Sequence, residues 1–243
     1  MDASQRSISI TARPMPMTIE PARTAVIVVD MQNDFVSEGG AFARAGNDIS
    51  LIQEIITPTS HVLAVAREAG MTVVYLKMEF RPDLCDVGAP GSPNWRAHHF
   101  VGAGEAVIAP TGETSRILVK DTWNTDIVDE LTPQAADIVV SKRRFSGFYG
   151  TELDTILRGL GIKNLIFTGC TTSVCVESTL RDAMFRDYSC LLLADCTAEP
   201  IGHGLSRSNH DASLLVVEFV FGSVANSADL IDALEAQVIQ TTP

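Results

Sequence analysis

Three residues whose side chains could together break an amide bond lie close behind separate apolar runs of the chain. Asp30 and Lys142 come at the ends of two runs, and Cys175 follows a third after a short polar turn. A thiol attacks a carbonyl carbon, a carboxylate carries the thiol proton to the departing nitrogen, and a cation keeps that carboxylate ionised. Taken singly, each residue has a plain alternative as a packing cysteine, a turn aspartate or a solvated lysine. Their shared position favours nucleophilic catalysis by the cysteine.

Cys175 is placed near the start of a predicted helix. The residues before it, Thr171, Thr172 and Ser173, are typical of helix caps. Unpaired backbone N–H groups and the positive end of the helix dipole favour a thiolate, so we expect a lowered pKa for this thiol. The same N–H groups are suited to binding a developing oxyanion.

Strands and helices alternate along the chain. The predicted strands cover residues 24–30, 71–77, 137–141, 164–169, 189–195 and 214–221. The predicted helices cover residues 48–70, 126–131, 151–161, the stretch that carries Cys175, a stretch near 203–213, and 227–238. This alternation predicts an α/β fold, a three-layer αβα sandwich around a mostly parallel six-stranded sheet. Because ligands bind outside the carboxyl ends of such strands, the three reactive residues are expected to converge there.

The domain organisation is predicted to be simple. Residues 1–23 hold three prolines and are expected to form an extended arm or a tail that contacts a partner. No break in composition and no repeat divides the remainder, so residues 24–243 are expected to form one domain. Within it, the Gly- and Pro-rich segment 78–124 is expected to be irregular, as a lid or a partner contact.

Composition excludes several classes of function. The 243 residues carry a net charge of −12, which argues against nucleic acid as a general partner. No apolar run is long enough to span a membrane, and the N-terminal residues lack the apolar core of an export signal. The five cysteines have no metal-type spacing, so we expect a reduced, cytoplasmic protein.

The histidines offer no alternative chemistry. No Gly-x-Ser-x-Gly motif is present, which argues against a serine nucleophile of that type. His98 and His99 lack a third ligand at a plausible spacing, so we interpret them as exposed loop residues.

With these motifs, the chain resembles the isochorismatase-like cysteine hydrolases over about residues 24–234. The resemblance rests on VVDMQNDF at 28–35, on SK and RFSGF within 141–148, and on TGCTTSVC at 168–175. This superfamily includes nicotinamidases, N-carbamoylsarcosine amidohydrolase, biuret hydrolases and ureidoacrylate amidohydrolases. The fold expected from the alternation of elements is also the one that this resemblance implies.

The resemblance implies roles for specific residues. It places an Asp–Lys–Cys triad on Asp30, Lys142 and Cys175. It also implies a cis peptide bond between Cys170 and Thr171, with the backbone N–H groups of Thr171 and Cys175 binding the oxyanion.

A metal is not expected from the resemblance. The nicotinamidase branch carries a metal-binding Asp-x-His after the second strand, where this chain has Glu79-Phe80-Arg81. We therefore expect no metal and no cofactor.

The substrate class is narrowed by the resemblance but left open. Motifs at 91–94 and 175–182 resemble ureidoacrylate amidohydrolases of pyrimidine breakdown, whereas motifs at 81–84 and 191–196 resemble biuret hydrolases. Both substrates carry a terminal ureido group. The resemblance thus implies a metal-free amidohydrolase for a small ureido or carbamoyl compound of the ureidoacrylate type. Biuret and N-carbamoyl amino acids remain alternative substrates, and relatives are commonly homodimers or homotetramers.

Eight side chains near the motifs are candidates for binding substrate, with ordinary packing as the alternative for each aromatic one. These candidates are Phe35, Glu79, Arg81, Asn94, Trp95, Phe145, Phe148 and Tyr149. Two further functions compete with amide hydrolysis. An isochorismate-type lyase reaction goes with replacement of the cysteine, and an inactive scaffold protein would not need an intact triad, so Cys175 opposes both.

Overall fold

Strands and helices alternate through most of the chain. The computed structural model describes residues 7–202, 206 and 208–239. The strands are β1 (Ile8–Ile10), β2 (Met17–Ile19), β3 (Thr24–Val29), β4 (Thr72–Met78), β5 (Ala106–Ile108), β6 (Thr114–Arg116), β7 (Ile138–Lys142), β8 (Asn164–Cys170), β9 (Ser189–Ala198) and β10 (Ser223–Ala225). The helices are α1 (Asn33–Val36), α2 (Ala41–Arg44), α3 (Ser50–Glu54), α4 (Ile56–Glu68), α5 (Pro93–Phe100), α6 (Leu153–Gly159), α7 (Glu177–Met184), α8 (Asn209–Val216) and α9 (Ser227–Ile239).

One parallel sheet of six strands forms the centre of the molecule. Its order is β10-β9-β8-β3-β4-β7, and every pairing within it is parallel. All residues of β3 and β8 are buried, which explains their continuous apolar sequences: both faces of these strands are covered. Helices flank the sheet, with α4 and α9 packed together and α7 against β9. The predicted fold class is confirmed.

The strand order reverses between β3 and β8. From β3 the chain builds outward through β4 to β7, and it then returns to the other side of β3 and builds outward through β8, β9 and β10. Crevices at such a reversal, outside the carboxyl ends of the strands, are where ligands bind in parallel sheets. The fold therefore predicts a ligand-binding crevice beside the ends of β3 and β8.

The residues predicted as an extended arm form a packed hairpin in their described part. β1 and β2 pair antiparallel, and β1 contacts α9. Ile10 is fully buried and Ile19 is nearly so. Burial of these branched side chains stabilises the hairpin against the domain and explains why the segment does not extend into solvent.

Segment 78–124 has more regular structure than its composition predicts. Helix α5 starts at Ser92-Pro93, where the Ser92 hydroxyl accepts a hydrogen bond from the Trp95 N–H at 3.2 Å. This serine cap followed by proline is a sequence signal for a helix start. The β5–β6 hairpin then covers residues 106–116.

The last predicted strand is wrong in position. Residues 214–221, expected as a strand, continue α8 and end in a π-helical turn, and the sixth strand is the shorter β10. Ser213 and Val217 are the buried positions, four residues apart, so one helical face packs inward. Part of the helix predicted near 203–213 lies outside the described residues. Within the described residues, no helix is long and apolar enough to cross a membrane.

Asp34, in helix α1, ties segment 78–124 to the part of the chain that follows β3. Its buried carboxylate accepts hydrogen bonds from the Leu118 N–H at 2.7 Å, the Ala41 N–H at 3.1 Å and the Asn124 side-chain amide at 2.5 Å. Three donors converge on two oxygens, and these bonds hold the backbone of the segment in place.

We expect Asp34→Asn to lower the free energy of unfolding by about 1–3 kcal/mol, because an amide N–H₂ then faces a buried N–H donor that has lost its acceptor. Urea denaturation followed by circular dichroism measures the change. Glu38→Gln, at an exposed position nearby, is the matched control and should be neutral. Equal stability of Asp34→Asn and the wild type would contradict this role.

Candidate active site

A buried ion pair joins the ends of β3 and β7. The Lys142 Nζ lies 2.7 Å from the Asp30 Oδ2, and the two side chains are 0% and 1% exposed. The Met78 N–H donates to the other carboxylate oxygen, Asp30 Oδ1, at 3.0 Å. Because β4 lies between β3 and β7, the lysine reaches across the end of β4 to meet the aspartate.

Asp30 holds an uncommon backbone conformation. Its φ is +53°, in the left-handed region that aspartate tolerates better than most residues. The Asp30 N–H donates to the Leu76 carbonyl at 3.0 Å. The turn directs the carboxylate along the carboxyl ends of the strands, where it meets Lys142.

Cys175 lies on a turn that begins where β8 ends. Gly169 permits the close packing there, since a Cβ at this position would lie 2.1 Å from the Val29 carbonyl oxygen. The following Cys170–Thr171 peptide bond is cis, and the helical turn Thr172–Val176 leads into α7. The Cys175 thiol lies within interaction distance of both the Asp30 carboxylate and the Lys142 ammonium.

Burial dominates the electrostatics of the three groups. It raises the pKa of the Cys175 thiol, and although Lys142 opposes this rise, the predicted lowering of that pKa is wrong. Burial also raises the pKa of the Asp30 carboxyl, again opposed by Lys142. The pKa of Lys142 is raised because attraction to the two acidic groups outweighs its burial. The site therefore combines a protonated thiol with an aspartate that binds protons more strongly than usual.

Two residues that the sequence analysis did not single out hold the turn. Glu199, after β9, accepts a hydrogen bond from the Ser173 N–H at 2.9 Å and another from the Ser173 hydroxyl. The Thr172 hydroxyl lies 2.9 Å from the His210 Nδ1 at the start of α8. Glu199 follows a predicted strand and His210 lies within a predicted helix, and neither belongs to a motif, so only the fold reveals them.

A cavity of about 480 Å³ opens at Cys175, Asp30 and Thr171. Its wall is mostly apolar and includes two predicted binding residues, Phe35 and Phe145. Wall residues that the sequence analysis missed include Phe42, Asn47, Met78, His98, Val101 and Leu118. A second cavity of similar size is lined by Glu199 and His210 but by none of the three reactive groups.

Other predicted binding residues do not line this cavity: Glu79, Arg81, Asn94, Trp95, Phe148 and Tyr149. The two charged ones have partners elsewhere. Glu79 is buried and pairs with Lys77 at 3.3 Å, whereas Arg81 is exposed and pairs with Asp83 at 3.5 Å. Their side chains are thus engaged away from the cysteine.

The remaining four serve other contacts. Asn94 donates to a backbone carbonyl at 2.6 Å, and Trp95 stacks on His99 with ring centroids 3.9 Å apart. Phe148 packs inside the domain, and Tyr149 is 65% exposed. Aromatic residues close to a motif in sequence therefore point in different directions once the chain is folded.

His98 differs from the exposed loop residue that was predicted. It is 4% exposed and packs against the ring of Phe145, with centroids 5.3 Å apart. Its Nδ1 lies 2.7 Å from the Asn94 carbonyl oxygen, and burial lowers the pKa of the imidazole to about 4. His98 is thus a neutral polar group in the cavity wall.

A bound metal has no evident ligand set among the described residues. No group of three or more His, Cys, Asp or Glu side chains in this part of the chain is arranged to hold a metal ion. The three reactive groups contact one another directly.

Comparison with known proteins shows which family this chain belongs to. The sequence model of the Isochorismatase domain matches residues 24–229. The chain is 39% identical to the ureidoacrylate amidohydrolase RutB of Methylorubrum extorquens, over 98% of this chain and 93% of that protein. It is 40% identical to RutB of Cronobacter sakazakii, over 96% and 97% of the two chains.

A solved structure shares both fold and sequence with the chain. The cysteine hydrolase from Pseudomonas syringae pv. phaseolicola superposes with a TM-score of 0.75 and 29% identity, covering 96% of this chain and 99% of its own. The matches extend over nearly the whole length of each protein. This chain therefore belongs to the isochorismatase family.

Proposed function

We propose that the chain, an amidohydrolase of this family, cleaves a C–N bond of a small ureido or carbamoyl compound through a covalent intermediate on Cys175. The observation that carries this proposal is the contact of the thiol with the buried Asp30–Lys142 pair at the cavity. A thiol beside a carboxylate base and a cation is suited to acyl transfer. The reaction is proposed to need no metal.

In the first step, the Cys175 Sγ attacks the carbonyl carbon while its proton passes to Asp30. The raised pKa of the carboxyl supports this role, because it makes Asp30 a better proton acceptor for a thiol. Lys142 stabilises the negative charge that the proton transfer moves between the two groups. The N–H groups of Thr171 and Cys175 are assigned to the oxyanion.

In the second step, Asp30 delivers the proton to the departing nitrogen and the C–N bond breaks. The carbamoyl group remains on Cys175 as a thioester-like intermediate. A water molecule, deprotonated by Asp30, then attacks this carbonyl and restores the thiol. Each proton taken up by Asp30 is returned, so the enzyme ends in its starting state.

The ureido group is supported as the reacting part of the substrate by the relatives, which are named for ureidoacrylate. Ureidoacrylate is therefore the first compound to test. Biuret and N-carbamoyl amino acids carry the same reacting group and are the alternatives. A screen over these compounds and nicotinamide, following ammonia release, tests the proposal: ureido compounds should be hydrolysed and nicotinamide should not.

Cys175→Ala should abolish turnover in this screen while leaving the fold intact, because it removes the attacking sulfur and little volume. Steady-state ammonia release and circular dichroism measure the two effects. Cys85→Ala, at the exposed cysteine, is the matched control and should keep normal activity. Near-normal turnover by Cys175→Ala would falsify the mechanism.

Lys142→Met should lower kcat/KM by about a hundredfold or more, the usual scale for a lost proton-transfer partner. Lys142 lowers the pKa of both Asp30 and Cys175, so its removal should raise the pKa of the thiol further. The rate of alkylation by iodoacetamide against pH measures this shift.

Arg143→Met is the control for that variant. Arg143 is held by Asp86 at 2.8 Å and does not contact the thiol, so its loss should change little. Identical thiol titration curves for Lys142→Met and the wild type would remove Lys142 from the mechanism.

Dialysis against a chelator should leave activity unchanged. Where the nicotinamidase branch carries Asp-x-His, this chain has Glu79-Phe80-Arg81. The Glu79 carboxylate pairs with Lys77 at 3.3 Å, and Arg81, a cation in place of the histidine, pairs with Asp83 and is not a metal ligand. A loss of activity that zinc, iron or manganese restores would contradict the prediction.

A further inference from the structure

The cavity wall beyond the reacting groups is apolar over most of its area. Its side chains include Phe35, Phe42, Phe100, Val101, Leu118 and Phe145. Among the described residues, no lysine or arginine lines the cavity. At about 480 Å³ it has room for about sixteen water-sized volumes of ~30 Å³, more than a ureido group alone would fill. The cavity therefore leaves room beside this wall for a further part of the substrate.

The three consecutive cations at residues 142–144 already have partners within the protein. Lys142 is neutralised by Asp30 at 2.7 Å. Arg143 pairs with the Asp86 carboxylate at 2.8 Å, and Arg144 donates to the Asp86 carbonyl at 3.0 Å. A carboxylate on the far side of the substrate would find no free positive charge among these groups.

Beyond the reacting groups, the polar side chains that line the wall in the described part of the chain, His98 and Asn47, are uncharged. His98 has its Nδ1 next to the Asn94 carbonyl oxygen, which can only accept a hydrogen bond, so the Nδ1 carries the proton. In the neutral ring the Nε2 is then an acceptor for a substrate N–H. Asn47 adds a second uncharged group. These groups suit an amide or ureido group better than an anion.

We propose that the part of the substrate beyond the reacting ureido group is apolar and uncharged, which rests on the proposed function. Moving a carboxylate from water into an apolar wall without a partner is costly, whereas an alkyl or aryl group gains by burial. This cavity thus departs from the acrylate in the name of the relatives, since an acrylate is an anion at neutral pH.

Two substrate pairs, each with one member that carries a carboxylate and one that does not, test the proposal. N-carbamoyl-leucine is compared with 3-methylbutylurea, which lacks its carboxylate, and ureidoacrylate is compared with its methyl ester. The neutral member of each pair should have a kcat/KM at least tenfold higher. Equal values or a preference for the anions would overturn the proposal and leave amide hydrolysis standing. No turnover of any ureido compound would overturn the proposed function as well.

A cation placed on the wall provides the second measurement. Val101→Lys should shift the ratio of kcat/KM values in each pair toward the carboxylate by at least tenfold. Val101→Met, similar in length but neutral, is the matched control and should keep the preference for the uncharged compounds. An unchanged ratio in Val101→Lys would show that the substrate does not extend along this wall, against the proposal.

Discussion

The ion pair between Asp30 and Lys142 is the constraint on which the site depends. Removing two charges from water costs several kcal/mol per ion, and only close contact with each other and with backbone donors offsets that cost. Here the ammonium and one carboxylate oxygen are 2.7 Å apart, and the Met78 N–H donates a hydrogen bond to the other oxygen. The pair therefore requires β3, β4 and β7 to keep their register. A slip of one residue would turn either side chain to the opposite face.

The reversal of strand order explains how the thiol reaches this pair. Asp30 and Cys175 are far apart in sequence, but β3 and β8 are neighbours in the sheet. The close approach at Gly169 and the hydrogen bonds that Ser173 donates to Glu199 then fix the turn. The strands thus set the distances between the reactive groups, and contacts from outside the strands set the direction of the thiol.

Much of the fold was predictable because parallel strands buried on both faces have continuous apolar sequences. The same property caused the wrong prediction of a strand at residues 214–221, since a short apolar run is typical of both a buried strand and a buried helix segment. The convergence of Asp30, Lys142 and Cys175 was predictable from their places at or shortly after strand ends. The pKa of Cys175 was not, because the local helix start was visible in the sequence while the depth of burial was not.

The cavity wall was the least predictable part of the site. Phe35 and Phe145 lie near motifs, but Phe42, His98 and Leu118 come from three segments with no shared pattern. Their proximity depends on long-range contacts, such as the hydrogen bond from the Leu118 N–H to Asp34. No periodicity in the sequence encodes a contact of this kind, so only the folded chain shows it.

The hydrogen bonds of Asp34 hold part of the cavity wall in place through backbone N–H groups. The reactive groups belong to strand ends and to the turn after β8, whereas much of the wall belongs to connecting segments, one of them held in place through backbone donors. A backbone hydrogen bond does not depend on the side chain of the residue that donates it. Exchange of wall side chains such as Leu118 can therefore alter which compound is admitted without disturbing the groups that react. One reaction can in this way be carried to new substrates during evolution by substitutions that never touch the cysteine.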